Sequence, residues 1–364
     1  MSRLDCRPVR SDERGHSGGQ ISGKFMAVAS LWLITTALAL LVSCQWSPFP
    51  RNPLNAPHPY RMKVVRLGSI VPPEVFADLD HDGVDEILGL SKIYSTFTPS
   101  FLQIYNSRFE TIQRVNFNGL IQNLFCYDWN GDGIDEIFLP FTRNDSTFLR
   151  IIDHRGNILI RSAFLFTGKA RVDSSGYYPW QGKILQMFYA DINADEKNEI
   201  VVIPSEGLAR APRGVFVYDG TSLRRKWKYE IGPAISFYPY LLDPDGDGKF
   251  NILLPTSSPM NGNVANGTSD ENGYLILLGP DGEVLSQEKL TGAFGGINAR
   301  VADLDHDGRQ EILLMLTNAL EPQRFRLEMR DAASLKLLRS FALTGAAGFE
   351  IAQLNHEPEM EIVV

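Results

Sequence analysis

Apolar residues along this chain fall in short runs separated by polar turns, and the runs return in a fixed order. An apolar strand enters an acidic loop, as Glu74-Val75-Phe76-Ala77 does, and a second strand leaves it, as Glu86-Ile87-Leu88 does. A third run is aromatic or aliphatic and tends to end in Asp or Asn, as in 102–106, 150–153 and 215–219, with 274–278 as a further copy. A Gly- or Ser-containing turn follows, such as Arg155-Gly156-Asn157 or Pro280-Asp281-Gly282, and a fourth strand such as Lys226-Trp227-Lys228-Tyr229 closes the unit. Outside one apolar segment near the N-terminus there is no long run with a 3.6-residue period. Short apolar runs bounded by turn residues predict strands. Four strands per unit of about 50 residues predict an all-β fold, a β-propeller of four-stranded blades.

The loop between the first and second strands carries the chemistry. In Asp78, Asp80, Asp82 and Glu86, side-chain oxygens fall at positions one, three, five and nine, with Gly83 at six. Calcium takes six to eight oxygen ligands, and a short loop supplies them only by folding back sharply; glycine at position six permits the positive φ of that turn. The pattern returns in Asp128, Asn130, Asp132 and Glu136, in Asp243, Asp245, Asp247 and Asn251, and in Asp303, Asp305, Asp307 and Glu311. Asp191, Asn193, Asp195 and Glu199 keep the oxygens but place Glu196 where glycine belongs. A sixth copy, Gln353, Asn355, Glu357 and Glu361, has Pro358 at position six and is expected to bind no metal, since proline fixes φ near −65°. The first residues of these loops are 50, 63, 52, 60 and 50 positions apart, the spacing of a repeat architecture. A helix–loop–helix calcium hand needs a bidentate acid at position twelve; Gly89, Leu139 and Leu314 stand there, and the flanks read as strands.

These Asp-x-Asp/Asn-x-Asp-Gly-x-x-acid loops resemble those of the FG-GAP/VCBS repeat family, whose best-known members are the integrin α-chain propellers. The likeness covers roughly residues 63–364. It implies calcium, up to five ions, in the hairpin between the first and second strands of each blade. It also implies a backbone carbonyl ligand at position seven: Val84, Ile134, Lys197, Lys249 and Arg309. Such propellers usually have seven blades. Six repeat units are visible here, and the last, ending in Glu361-Ile362-Val363-Val364, is incomplete. An open sheet edge is a liability, so the expectation is a C-terminally truncated form of a larger ring, with residues 61–67 supplying a stray outer strand.

Charge agrees with ion binding. The net charge is −8; residues 1–24 carry five Lys/Arg and three Asp/Glu, so they are +2 and the remainder is −10. Five calcium ions would cancel that excess, and an acidic body without a basic stripe argues against nucleic acid. Residues 1–24 read as a polar leader, and residues 25–42 contain no charged residue, long enough for a marginal membrane span. The run ends in Leu41-Val42-Ser43-Cys44, which resembles a lipoprotein lipobox with Cys44 as the lipidated residue. The alternative is an uncleaved signal anchor. Both readings place the body, after a Pro-rich spacer at 45–60, on the extracytoplasmic face of a cell envelope. The three cysteines suggest no disulfide framework, and Cys126, in an apolar strand, reads as a buried inert thiol.

Two long insertions, 167–183 and 257–273, fall on the face opposite the acidic loops. The first contains Tyr177, Tyr178 and Trp180, the second is rich in Asn, Gly and Ser, and either offers a surface for a glycan or a protein partner. The acid pairs Asp85-Glu86 and Asp135-Glu136 stand at the same place in two successive units, and Glu199 and Glu311 repeat the second acid, which is a structural pattern, since a catalyst needs one site. The expected function is a non-catalytic, membrane-tethered binding or adhesion module. The alternatives are the sensor ectodomain of a longer receptor, and an extracytoplasmic polysaccharide lyase or quinoprotein, for which 218–227 gives one resembling blade segment.

Overall fold

The computed structural model describes residues 70–364, except 92–99, 118–119, 122, 169–170, 174–175, 179–182, 206–210, 236–237, 305–306, 346–347, 353–359 and 364. The leader, the apolar segment with Cys44, the spacer and residues 61–67 lie outside the described residues, as does Trp180. All described regular structure is β, and no described helix is long and apolar enough to cross a membrane.

The strands form a β-propeller of four-stranded antiparallel blades. The first blade runs in chain order through Ile70–Ala77, Glu86–Ser91, Ser100–Tyr105 and Thr111–Phe117. In the second, Leu120–Ile121 and Phe125–Tyr127 share one neighbour, Glu136–Arg143, followed by Ser146–Ile152 and Ile158–Thr167. The third comprises Lys183–Ala190, Glu199–Ser205, Gly214–Asp219 and Arg225–Glu230. The fourth comprises Tyr240–Leu242, Asn251–Pro255, Gly273–Leu278 and Val284–Thr291, and the fifth Gly295–Ala302, Glu311–Asn318, Arg324–Asp331 and Leu337–Thr344. Glu350–Ala352 pairs with Glu361–Val363 as the described part of a sixth.

Burial follows from how blades stack. The middle strands have a neighbouring blade on both sides, so alternation gives way to continuous apolar sequence: Glu136–Pro140 and Gly273–Leu278 are buried at every residue. Fourth strands sit at the rim, and Leu337–Phe341 is exposed throughout. Five apolar clusters lie between consecutive blades. Leu88, Leu102 and Ile104 of the first blade meet Ile137 and Leu139 of the second. Leu149 and Ile151 of the second meet Ile200, Val202 and Phe216 of the third. The series continues to Phe349 beside Leu313 and Met315. Tyrosines also bridge blades: the buried Tyr218 hydroxyl donates to the Leu165 carbonyl at 2.8 Å, and the half-buried Tyr240 to Ala299 at 2.7 Å. Side chains packing this densely on both faces leave each blade held by its neighbours rather than by its own hydrogen bonds alone.

Candidate metal centres in the first hairpin loops

Each acidic loop joins the first strand of a blade to the second, which is the hairpin expected. The second strand starts at position nine itself, as expected, and that residue already pairs across the hairpin: Glu86 with Ala77, Glu136 with Tyr127, Glu199 with Ala190.

One hydrogen-bond set builds all five loops. The position-one aspartate accepts the N–H of position six at 2.8 Å in Asp78, 2.9 Å in Asp128, 2.7 Å in Asp191, 3.1 Å in Asp243 and 3.0 Å in Asp303. The position-five aspartate accepts the backbone N–H of position seven, that of Val84, Ile134, Lys197, Lys249 or Arg309, at 2.8 to 3.0 Å in every copy. The position-nine glutamate reaches back to the N–H of position two: Glu86 to Leu79, Glu136 to Trp129, Glu199 to Ile192 and Glu311 to Leu304. These glutamates are buried. The fourth loop explains its own exception. Pro244 stands at position two and has no N–H to donate, and there the acid at nine is replaced by Asn251.

In the four loops described throughout, the backbone turns left-handed twice. Position six has positive φ at Gly83, Gly133, Gly248 and Gly308, and Glu196 adopts the same conformation at φ 66° without being glycine. Position four does so too, at His81, Gly131, Ala194 and Gly246, a requirement that the sequence pattern shows only through its two glycines. His306, at the same place in the fifth loop, and Asp305 lie outside the described residues.

The donor sets fit a hard divalent cation in two loops directly. Oxygens of Asp78, Asp80 and Glu86 come within 4.8 Å of one another, as do those of Asp243, Asp245 and Asp247. Each loop opens on a cleft, of about 270 Å³ beside Asp80 and Glu86 and about 290 Å³ beside Asp245 and Asp247. Burial pushes the Glu86 carboxyl above its usual range, and Asp80, Asp82 and Asp78 push it further. Burial also raises Glu136, against the pull of two backbone N–H groups. Crowded acids of this kind are what a bound cation stabilises. In the second loop Asp128, Asn130, Asp132 and Glu136 keep the same backbone cage, with the Asn130 amide donating to Glu136 at 2.9 Å. In the third, the Lys226 ammonium lies 2.6 Å from Glu199 and 3.8 Å from Asp195.

Tyr177 and Tyr178 belong to a short hairpin in which Gly176–Tyr178 pairs with Arg171–Asp173. In the 257–273 insertion, Ser258, Thr268 and Asp270 are buried, Asn261 and Asn263 half-buried and Asn266 exposed. Asp270 and Arg213 are both fully buried and form an ion pair at 3.2 Å. The Arg213 guanidinium also donates to the Gly232 carbonyl and the Asn261 side chain, and Asn263 donates to Ile231 and Gly232. Charged and amide groups are buried here because each finds a partner across two blades. Sequence reading missed this pair: Arg213 and Asp270 are 57 residues apart, and no local pattern marks either.

No family model matches the chain, and no curated protein sequence matches it. Solved structures similar to it include the exotype rhamnogalacturonan lyase YesX, at TM-score 0.39 and 16% identity over 74% of this chain and 54% of that one. A mutant apocarotenoid oxygenase of Synechocystis follows at 0.44 and 11% identity over 82% and 67%, and the Dos1 propeller at 0.45 and 12% over 78% and 66%. The chain thus spans about half the length of the lyase, and its structural neighbours include both enzymes and a propeller.

Proposed function

We propose that the protein is a calcium-stabilised β-propeller, tethered at the outer face of a cell envelope through its N-terminal segment, that binds a glycan or a protein without catalysing a reaction. The observation that carries this reading is the repeated cage: five hairpins place an acid at the same two backbone turns, and in two of them three carboxylates converge within 4.8 Å. Calcium in such a hairpin neutralises acids that otherwise repel and holds the first and second strands together. The position-nine acids support a structural role, since Glu86, Glu136, Glu199 and Glu311 all cap the same backbone N–H of their own loops.

Thermal unfolding of the purified protein in excess chelator and in millimolar calcium tests the metal half of the proposal. Each occupied site adds about 2.7 kcal/mol at a hundredfold excess over its dissociation constant, so calcium should raise the melting temperature by several degrees. Identical curves in both buffers would remove calcium from the reading. For the binding half, a glycan panel should show retention without cleavage; chain scission would place the protein among polysaccharide-active enzymes instead.

A further inference from the structure

The third blade differs from the other four in a way that changes what its loop can hold. We propose that this loop takes no calcium and is closed instead by an internal cation, the ammonium of Lys226; the proposal rests on the calcium reading of the remaining loops.

Strand register identifies the position that Lys226 occupies. In the third blade, Val217 pairs with Trp227 and Tyr218 with Arg225, so Lys226 is a bulge residue without a partner across the ladder. The same bulge recurs at the start of every fourth strand. Ile104 pairs with Gln113 and Tyr105 with Thr111, leaving Ile112; Ile151 pairs with Ile160 and Ile152 with Ile158, leaving Leu159. Leu285 is left out between Leu277–Ser286 and Leu278–Val284, and Leu338 between Met329–Arg339 and Arg330–Leu337. A bulge re-aims the side chain it carries. In two blades the target is visible: Ile112 lines the cleft of Asp80 and Glu86, and Leu285 lines that of Asp245, Asp247 and Asn251. The bulged side chain therefore overhangs the acidic loop of its own blade.

Four blades put an exposed aliphatic residue at this place, and the third puts a lysine. Its ammonium approaches Glu199 at 2.6 Å and Asp195 at 3.8 Å, two of the oxygens counted as calcium ligands by spacing. The Asn193 amide donates to the same Asp195 carboxylate at 3.2 Å. Calcium needs six to eight oxygens at 2.3 to 2.6 Å. A fixed positive charge within hydrogen-bond reach of one ligand and close to another removes oxygens and repels a divalent ion at once. The blade with the lysine is also the one in which glycine at position six has become Glu196. Both departures fit a hairpin whose metal has been replaced by a side chain while the backbone cage stayed.

The test counts calcium bound to the full chain by equilibrium dialysis and elemental analysis, in the wild type and in Lys226→Leu, which installs the residue type of the other blades. The variant should bind one calcium more per chain than the wild type. Lys226→Gln, which removes the charge with less change of shape, should do the same and covers the case of a leucine variant that fails to fold. Equal, non-zero counts in all three proteins would overturn this proposal and leave the calcium reading standing. No calcium in any of them would overturn both. An ion gained by the variants when the wild type has none would support the lysine and remove calcium from the other loops.

Discussion

Asp270→Ala is the substitution to which the propeller should respond most strongly away from its acidic loops. Asp270 is fully buried and receives three donors: the Arg213 guanidinium at 3.2 Å, the Asn261 N–H at 3.0 Å and the Gly262 N–H at 3.1 Å. Removing its carboxylate leaves the buried Arg213 without a counter-charge, and breaking one side of a buried pair costs about 3–5 kcal/mol. The two amides add to this only as far as the 257–273 segment fails to open to water. For a body of this size that corresponds to a melting temperature lower by roughly 5–8 °C, measured by circular dichroism or scanning calorimetry at fixed calcium. Arg213→Ala should cost less, about 2–3 kcal/mol, because Asp270 keeps its two backbone N–H partners. Replacing both by apolar residues of similar volume, Arg213→Met with Asp270→Leu, should return to within about 2 kcal/mol of the wild type, since a buried pair is a poor net stabiliser against good packing. Adding the Arg213→Ala/Asp270→Ala double variant closes a cycle with the two alanine singles and isolates the coupling between the two side chains. A loss below about 1 kcal/mol for Asp270→Ala would refute the burial of the pair.

Other substitutions probe the loops and the core. Glu196→Gly should stabilise the protein by about 0.5–1 kcal/mol, the cost of a left-handed residue less the entropy of glycine, seen as a higher urea midpoint. Gly308→Ala should destabilise by about 1–2 kcal/mol in the same assay, through its φ of 88° alone, because a Cβ there meets nothing within 4 Å. Burial pushes the Cys126 thiol well above its usual range, with Asp135 adding to it. Its alkylation at pH 8, followed by peptide mapping, should be far slower than that of a free thiol and should recover on unfolding.

Much of the architecture was legible because it repeats. The order of strand, acidic loop, strand, strand, turn, strand carries over at 102–106, 150–153, 215–219 and 274–278, and these runs coincide with third strands. The turns at Gly156 and Gly282 adopt the positive φ that their glycines suggested. The loops themselves were legible as oxygen patterns; what spacing did not show is that the acid at position nine also accepts an N–H from position two in four of them, and that the loop with Pro244 at position two has Asn251 at position nine.

What the sequence hid is contact between units. Trp129 at position two of the second loop donates its indole N–H to the Gly220 carbonyl of the third blade at 2.8 Å, and Trp227 donates to Pro280 of the fourth at 3.0 Å. The Ile192 carbonyl accepts the Phe250 N–H, tying the third loop to the fourth. The second and third hairpins are thus each tied to the blade that follows, and within that frame Glu196 of the third holds a left-handed turn at φ 66° that local sequence disfavours. The same frame lets Lys226 reach its loop, since a lysine 27 residues beyond Glu199 acquires meaning only once two strands and a bulge bring it back over the carboxylates. The surroundings of an acidic loop in this fold are therefore set by the fourth strand beside it as well as by its own acids.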